Sequence, residues 1–208
     1  MAKVKISGIA SYDDALDATN LGADFVAFSF VKDSPKKVSA GFAADIISKL
    51  PPFVAPVGIF ANEEQKVIAK IVKKCSLKNI QFDADEAPEF CGAAREGLGV
   101  KIFKSFKLEN DESLAKLASY AGSVDFFVLD VSFVDGEILK QNFELAVKAA
   151  QFNVPFFIAG NITKDDVKKA MEIAKPFGID GDGGIERLPK RKDYDKMNDF
   201  IRYGHGLK

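Results

Sequence analysis

A single histidine, His205, and two cysteines, Cys75 and Cys91, are all that this 208-residue chain holds of two side chains central to nucleophilic and metal chemistry. One histidine close to the C-terminus leaves a Ser-His-Asp triad without an interior base. The same scarcity leaves no Cys/His zinc set, so no metal is expected. Two thiols in a chain of this length fit a reducing compartment and not a disulfide framework. Surplus charge is missing too: 29 Lys and Arg face 30 Asp and Glu, a net charge of -1. That balance gives no basic footprint for nucleic acid and no acidic tail. No apolar run approaches the roughly 18 residues of a membrane span, and no signal-peptide pattern opens the chain. The expectation is a soluble, cytoplasmic protein with no membrane partner. Glycine and proline are scattered, so low-complexity disorder is not expected.

What is present is a core. Hydrophobic residues make up 47%, and short β-branched or aromatic runs recur at regular spacing. They are Val4–Ile6, Phe25–Phe30, Val54–Phe60, Asn79–Phe82, Val100–Phe106, Val124–Leu129, Val154–Ala159 and a weak one at Ile179. Helical patterns lie between them. Ser11, Ser39 and Thr163 are N-cap candidates, two of them followed by acids in the first turn. Eight strand–helix units without a linker predict one domain, residues 1–208, of the α/β class: a compact (β/α)8 TIM barrel. An open doubly wound sheet is the alternative, but Ser7-Gly8-Ile9-Ala10 after the first strand is not G-x-G-x-x-G.

A barrel places its site where strands end and βα-loops begin. Gly160 and Asn161 follow strand seven, and Gly183 and Gly184 follow strand eight. Backbone amides of such loops bind phosphate; the other reading is a flexible connection. Asp182 opposes a dianion unless it points away, and Lys190, Arg191 and Lys192 either compensate it or form a solvated charge run, the commoner case. Asp130 ends strand six and is either an acid–base residue or a loop-capping aspartate. Ser7 reads on position alone as a small polar residue at a strand–loop junction, with no histidine to activate it. Lys104 is a Schiff-base lysine if desolvated, and otherwise a solvated or anion-pairing one. Cys91 reads as a buried apolar residue.

The ordered motifs resemble the phosphoribosylanthranilate isomerase family of tryptophan biosynthesis. Val4-Lys5-Ile6-Ser7-Gly8-Ile9 resembles V-K-I-C-G-I, and Ser34-Pro35-Lys36-Lys37-Val38-Ser39 resembles S-P-R-x-V-S. Pro52-Phe53-Val54 with Val57-Gly58-Ile59-Phe60 and Asn62 resembles P-F-V…V-G-V-F-x-N. Gln81, Asp85-Glu86 and Pro88–Cys91 resemble Q-L-H-G-D-E-x-P-E-F-C. Phe156–Thr163 resembles F-x-L-A-G-G-L-T, and Asp180–Glu186 resembles V-D-x-S-S-G-V-E.

The resemblance implies a TIM barrel and an Amadori rearrangement of a phosphorylated small molecule, without cofactor, by a monomer or homodimer. It implies that Asp130 is the general acid and that Ser7 stands where the family has its cysteine base. It also implies substrate or phosphate contacts at Lys36, Asp83, Lys104, Gly160, Asn161, Gly183 and Gly184. Lys36 replaces the family's arginine, Asp83 its histidine and Asn161 a glycine. The glycine-rich loop after strand six survives only as Asp135-Gly136-Glu137-Ile138. An alcohol is a far weaker acid than a thiol of pKa about 8.5, so Ser7 needs help to act as a base. Two other readings stay open. One is a catalytically impaired paralogue that binds a phosphorylated metabolite or a protein partner. The other is a different sugar-phosphate barrel enzyme, including an aldolase built on Lys104.

Overall fold

The computed structural model describes residues 1–131 and 136–207, with residues 136–141 described by their backbone. Asp135, Ser132, Phe133 and Val134, which the sequence reading weighed, lie outside the described residues. Eight parallel strands close a ring in the order of the chain. They are β1 (Lys3–Ile6), β2 (Phe25–Ser29), β3 (Ala55–Phe60), β4 (Asn79–Phe82), β5 (Lys101–Lys107), β6 (Phe126–Asp130), β7 (Phe156–Ala159) and β8 (Gly178–Gly181). The predicted (β/α)8 barrel is the observed fold.

Helices alternate with the strands: α1 (Tyr12–Leu21), α2 (Ala40–Ile47), α3 (Gln65–Cys75), α4 (Pro88–Leu98), α5 (Asp111–Tyr120), α6 (Gly136–Ala149), α7 (Lys164–Ile173) and α8 (Tyr194–Gly204). Their starts follow capping chemistry. Ser11 Oγ accepts from the Asp14 amide at 3.1 Å, and Ser39 Oγ from the Phe42 amide at 3.1 Å. The Asp166 carboxylate accepts from the Thr163 amide at 2.8 Å. None of the described helices is long and apolar enough to cross a membrane.

Strand residues alternate between two cores. Outward-facing Ile6, Val26, Phe28, Ile80, Ile102 and Leu129 pack against the helix shell. Inward-facing Phe25, Phe103, Phe126 and Phe157 fill the lumen. Phe103 stacks on Phe126 at 4.5 Å between centroids, and Phe25 meets Phe157 edge-on at 5.8 Å. This floor makes the barrel a packed core and not a pore. Above it, Lys5 of β1 and Asp180 of β8 form an ion pair inside the ring, with the lysine side chain fully buried.

Two matching ties bind strands to the turns that follow. Lys3 holds Asp24 at 2.6 Å while Asp24 Oδ2 accepts from the Val4 amide. Lys101 holds Asp125 at 2.7 Å while Asp125 Oδ2 accepts from the Ile102 amide.

The sequence showed only a weak strand at Ile179. The chain in fact continues through β8 into a short antiparallel hairpin, β9 (Glu186–Leu188) and β10 (Arg191–Lys192). Lys190 turns it with φ 68°. The hairpin folds Lys192 inward, and its side chain is only 1% exposed. The solvated reading is therefore corrected at Lys192 in favour of the compensating one, because strand pairing aims that ammonium at Asp182 and Glu186.

Candidate active site

At the C-terminal ends of the strands lies a cavity of about 470 Å³, lined among others by Ser7, Lys36, Gln81, Asp83, Ser105, Lys107, Asp130, Gly160, Asn161, Asp180, Asp182 and Gly183. That size suits a small-molecule ligand. Strand alternation explains the lining. Lys5 and Ser7, Gln81 and Asp83, Ser105 and Lys107, and Asp180 and Asp182 are each two residues apart, so each pair shares one face.

Ser7 follows β1, and its amide donates to the Gly181 carbonyl at 2.9 Å. Its hydroxyl donates to Asp180 Oδ1 at 2.6 Å. The other oxygen of Asp180 takes the Lys5 ammonium. Both oxygens of Asp180 are thus committed.

Asp83 continues the inward face of β4. Its Oδ1 accepts from Gln81 Nε2 at 2.8 Å and from Ser105 Oγ at 2.6 Å. Its side chain reaches the open cavity, yet desolvation by the protein packed around it raises its carboxyl above the usual value, outweighing the hydrogen bonds and the Lys5 charge that pull it down. Asp130 closes β6 beside Lys107 of β5, its register partner, and both line the cavity.

Lys36 reaches the rim because the loop after β2 folds back along its own strand. The Val38 amide donates to the Ser29 carbonyl at 2.9 Å, and the Lys36 amide donates to Ser34 Oγ at 3.2 Å. The Lys36 ammonium then contacts Asp182 at 2.6 Å and Glu186 at 2.8 Å. Lys192 contacts the same two carboxylates at 2.8 and 3.4 Å. Burial alone would raise the Asp182 carboxyl, but the charges of Lys192 and Lys36 prevail and hold it below its usual range. Lys36 shifts upward: its two carboxylates outweigh the cost of burial.

The glycine loops approach each other closely. Gly160 has φ 125°, a conformation that side chains resist. A β-carbon on Gly184 would fall 2.3 Å from the Ile162 carbonyl oxygen, so that glycine lets the β8 loop lie against the β7 loop. Gly160, Asn161 and Gly183 line the cavity, whereas Gly184 packs behind it.

Lys104 is the expectation the structure corrects. Phe103 points into the lumen, so Lys104 points out, beneath α4 and α5. Its ammonium donates to the carbonyls of Phe82, Ala84 and Ser105 at 3.3, 2.6 and 3.2 Å. It pairs with Glu86 at 3.5 Å, both side chains being buried. Burial pulls its pKa below the usual lysine value, with Glu86 opposing. Lys104 is a structural cation with no face on the cavity, and it is not a Schiff-base lysine for that site. The cavity lysine of β5 is Lys107. Lys5 was missed at the sequence level, and Gln81, Ser105 and Lys107, though within the motifs and strand-end segments, were given no role there. The i, i+2 spacing to Ser7, Asp83 and Phe103 was the signal for all four.

Comparison with known proteins gives a consistent answer. Residues 4–203 match the family model described as N-(5'phosphoribosyl)anthranilate (PRA) isomerase. The N-(5'-phosphoribosyl)anthranilate isomerases of Geobacter sulfurreducens and Geobacter metallireducens are each 37% identical to this chain. The first alignment covers 99% of this chain and 100% of the relative, the second 97% and 98%. A crystal structure of phosphoribosyl anthranilate isomerase with reduced 1-(o-carboxyphenylamino)-1-deoxyribulose 5-phosphate superposes with a TM-score of 0.90 at 29% identity, covering 100% of both chains. The Thermotoga maritima enzyme superposes equally, with a TM-score of 0.90 at 28% identity and full coverage of both chains. Matched along nearly its whole length in sequence and in barrel geometry, this chain belongs to the phosphoribosylanthranilate isomerase family.

Proposed function

We propose that the protein catalyses the Amadori rearrangement of N-(5'-phosphoribosyl)anthranilate to the corresponding carboxyphenylamino-deoxyribulose phosphate, a step of tryptophan biosynthesis. One observation carries this reading beyond family membership. Asp130, Ser7 and the glycine loops after β7 and β8 all border one cavity of about 470 Å³.

Asp130 is the general acid. It protonates the ribose ring oxygen, the C1'–O bond breaks, and the nitrogen lone pair forms the iminium. The amides of Gly160, Asn161 and Gly183 hold the phosphate, with Gly184 keeping the two loops together. Lys36 and Lys107 supply positive charge for an anionic substrate. Asp182 keeps a carboxylate at that rim, and its pairing with Lys36 and Lys192 offsets the repulsion a dianion would meet. The second proton transfer, loss of the proton on C2', requires a base. Ser7 occupies the position at which the family's cysteine serves.

The test is loss of the substrate's anthranilate fluorescence on mixing with purified protein. No loss at high protein concentration ends this reading. Asp130→Asn should lower kcat by about 10²-fold or more.

A further inference from the structure

Resting on the isomerase reading, we propose that Asp83, not Ser7, is the base that removes the C2' proton. Three observations carry it. The Ser7 hydroxyl donates its proton to Asp180 at 2.6 Å. An alcohol that is to act as a base must either reach its alkoxide or pass its proton to an acceptor. Among the described residues, the one acceptor its hydroxyl bonds to, Asp180, has its second oxygen on Lys5.

Asp83 is arranged differently. Both groups that hold it, Gln81 and Ser105, are neutral, and both bind Oδ1. Among the described residues nothing donates to Oδ2, and the residue faces the same cavity as Asp130 and Ser7. The carboxylate is fixed by one oxygen, and the other is left without a donor among the described residues. No described residue forms an ion pair with it, and desolvation by the protein around the cavity raises its basicity. Gln81 Oε1 is itself buried without a hydrogen-bond partner. It therefore offers a second acceptor beside Asp83, suited to a substrate hydroxyl.

The chemistry balances without a co-reactant. Asp130 has already given its proton to the ring oxygen, leaving the iminium. Asp83 Oδ2 takes the proton from C2'. The C–H electron pair becomes the C1'=C2' bond, and the C=N π pair returns to nitrogen, giving the enolamine. Asp83 then releases its proton to water, and Asp130 takes one up from water, which restores both carboxyl groups. The enolamine gains a proton at C1' and loses that of its C2' hydroxyl to reach the ketone.

The experiment compares wild-type protein with Asp83→Asn and Ser7→Ala in the fluorescence assay, using substrate carrying protium or deuterium at C2'. The expected result is that Asp83→Asn loses about 10²-fold or more in kcat and shows a larger deuterium effect than wild type. Ser7→Ala should lose clearly less than Asp83→Asn, because it removes a hydrogen bond to Asp180 and not the base. Asp83→Ala, a second variant, should regain activity with added formate, whereas Asp83→Asn should not. In an active wild-type protein, the proposal is overturned if Asp83→Asn keeps activity within tenfold, if Ser7→Ala falls as far as Asp83→Asn, or if formate restores nothing. An inactive wild-type protein overturns the isomerase reading itself, and this inference with it.

Discussion

Phe157 leans against Gly178 across the β7–β8 pair, so closely that a β-carbon on the glycine would sit 2.2 Å from Cε1 of the ring. The ring is one of the aromatics that floor the lumen beneath the site. Gly178→Ala must push Phe157 into Phe103 and Phe126, or shift β8 against the Lys3 carbonyl 2.8 Å away. Overpacking of this kind costs about 1–3 kcal/mol. For a chain of this size the melting temperature should fall by roughly 2–4 °C per kcal/mol. An unchanged melt would mean that the floor is loosely packed.

Lys104→Met separates structure from chemistry. Removal of the ammonium leaves the Glu86 carboxylate buried, with the Asn62 and Ala84 amides as its donors among the described residues. Breaking a buried pair from one side costs about 3–5 kcal/mol. Denaturant titration should show that loss while folded protein keeps its kcat. Borohydride should trap no substrate adduct on Lys104. Full stability with abolished turnover would return this lysine to the site.

Asp83 makes the fold sensitive to pH in a direction opposite to most carboxylates. Its pKa is raised in the folded protein above the ordinary 3.8 by burial. The folded state therefore binds the extra proton, and stability falls as pH rises from about 4 through the folded-state pKa. Asp83→Asn removes that penalty. Its melting temperature should exceed that of wild type at pH 7, with the gap closing toward pH 4. A gap that widens on acidification contradicts this.

Thiol reagents should find nothing to modify in the folded protein. Cys75 and Cys91 are both buried. Burial, opposed by Lys104, pushes the Cys91 thiol up to about 11. Thiolate is the reactive form. Titration with a chromogenic disulfide at pH 8 should count no groups in buffer and two in denaturant, the full complement of the chain. Rapid reaction in buffer would show that the shell around α3 or α4 opens readily.

The strand runs, the Ser11 and Ser39 caps and the order of the ring were legible in the sequence because each is a local matter of periodicity and capping. The site was legible only as far as position along a strand reveals it. Asp130 drew notice because strand ends are where a barrel acts, whereas Ser7 was singled out only by the resemblance of its motif. Lys104 was misplaced by one residue because alternation reverses with each step, and Phe103, not Lys104, set the phase. The Lys5–Asp180 pair could not be read at all. Its members lie 175 residues apart, and no local pattern announces a charge inside a lumen. The inward turn of Lys192 was not readable for a related reason: a two-residue strand leaves almost no periodic trace.

Neighbouring strands β1 to β8 pair across single crossovers, but β8 meets β1 only when the last of them returns to the first. The Lys5–Asp180 pair and the Ser7–Asp180 hydrogen bond both straddle that seam. A chain assembled as far as β7 would already hold Asp83 and Asp130, yet its Lys5 would be an unanswered charge in a half-open trough. Zipping the seam neutralises that charge and completes the polar floor in a single act. Competence for chemistry thus arrives together with topological closure, and a partly formed ring has no working fraction of the site to offer.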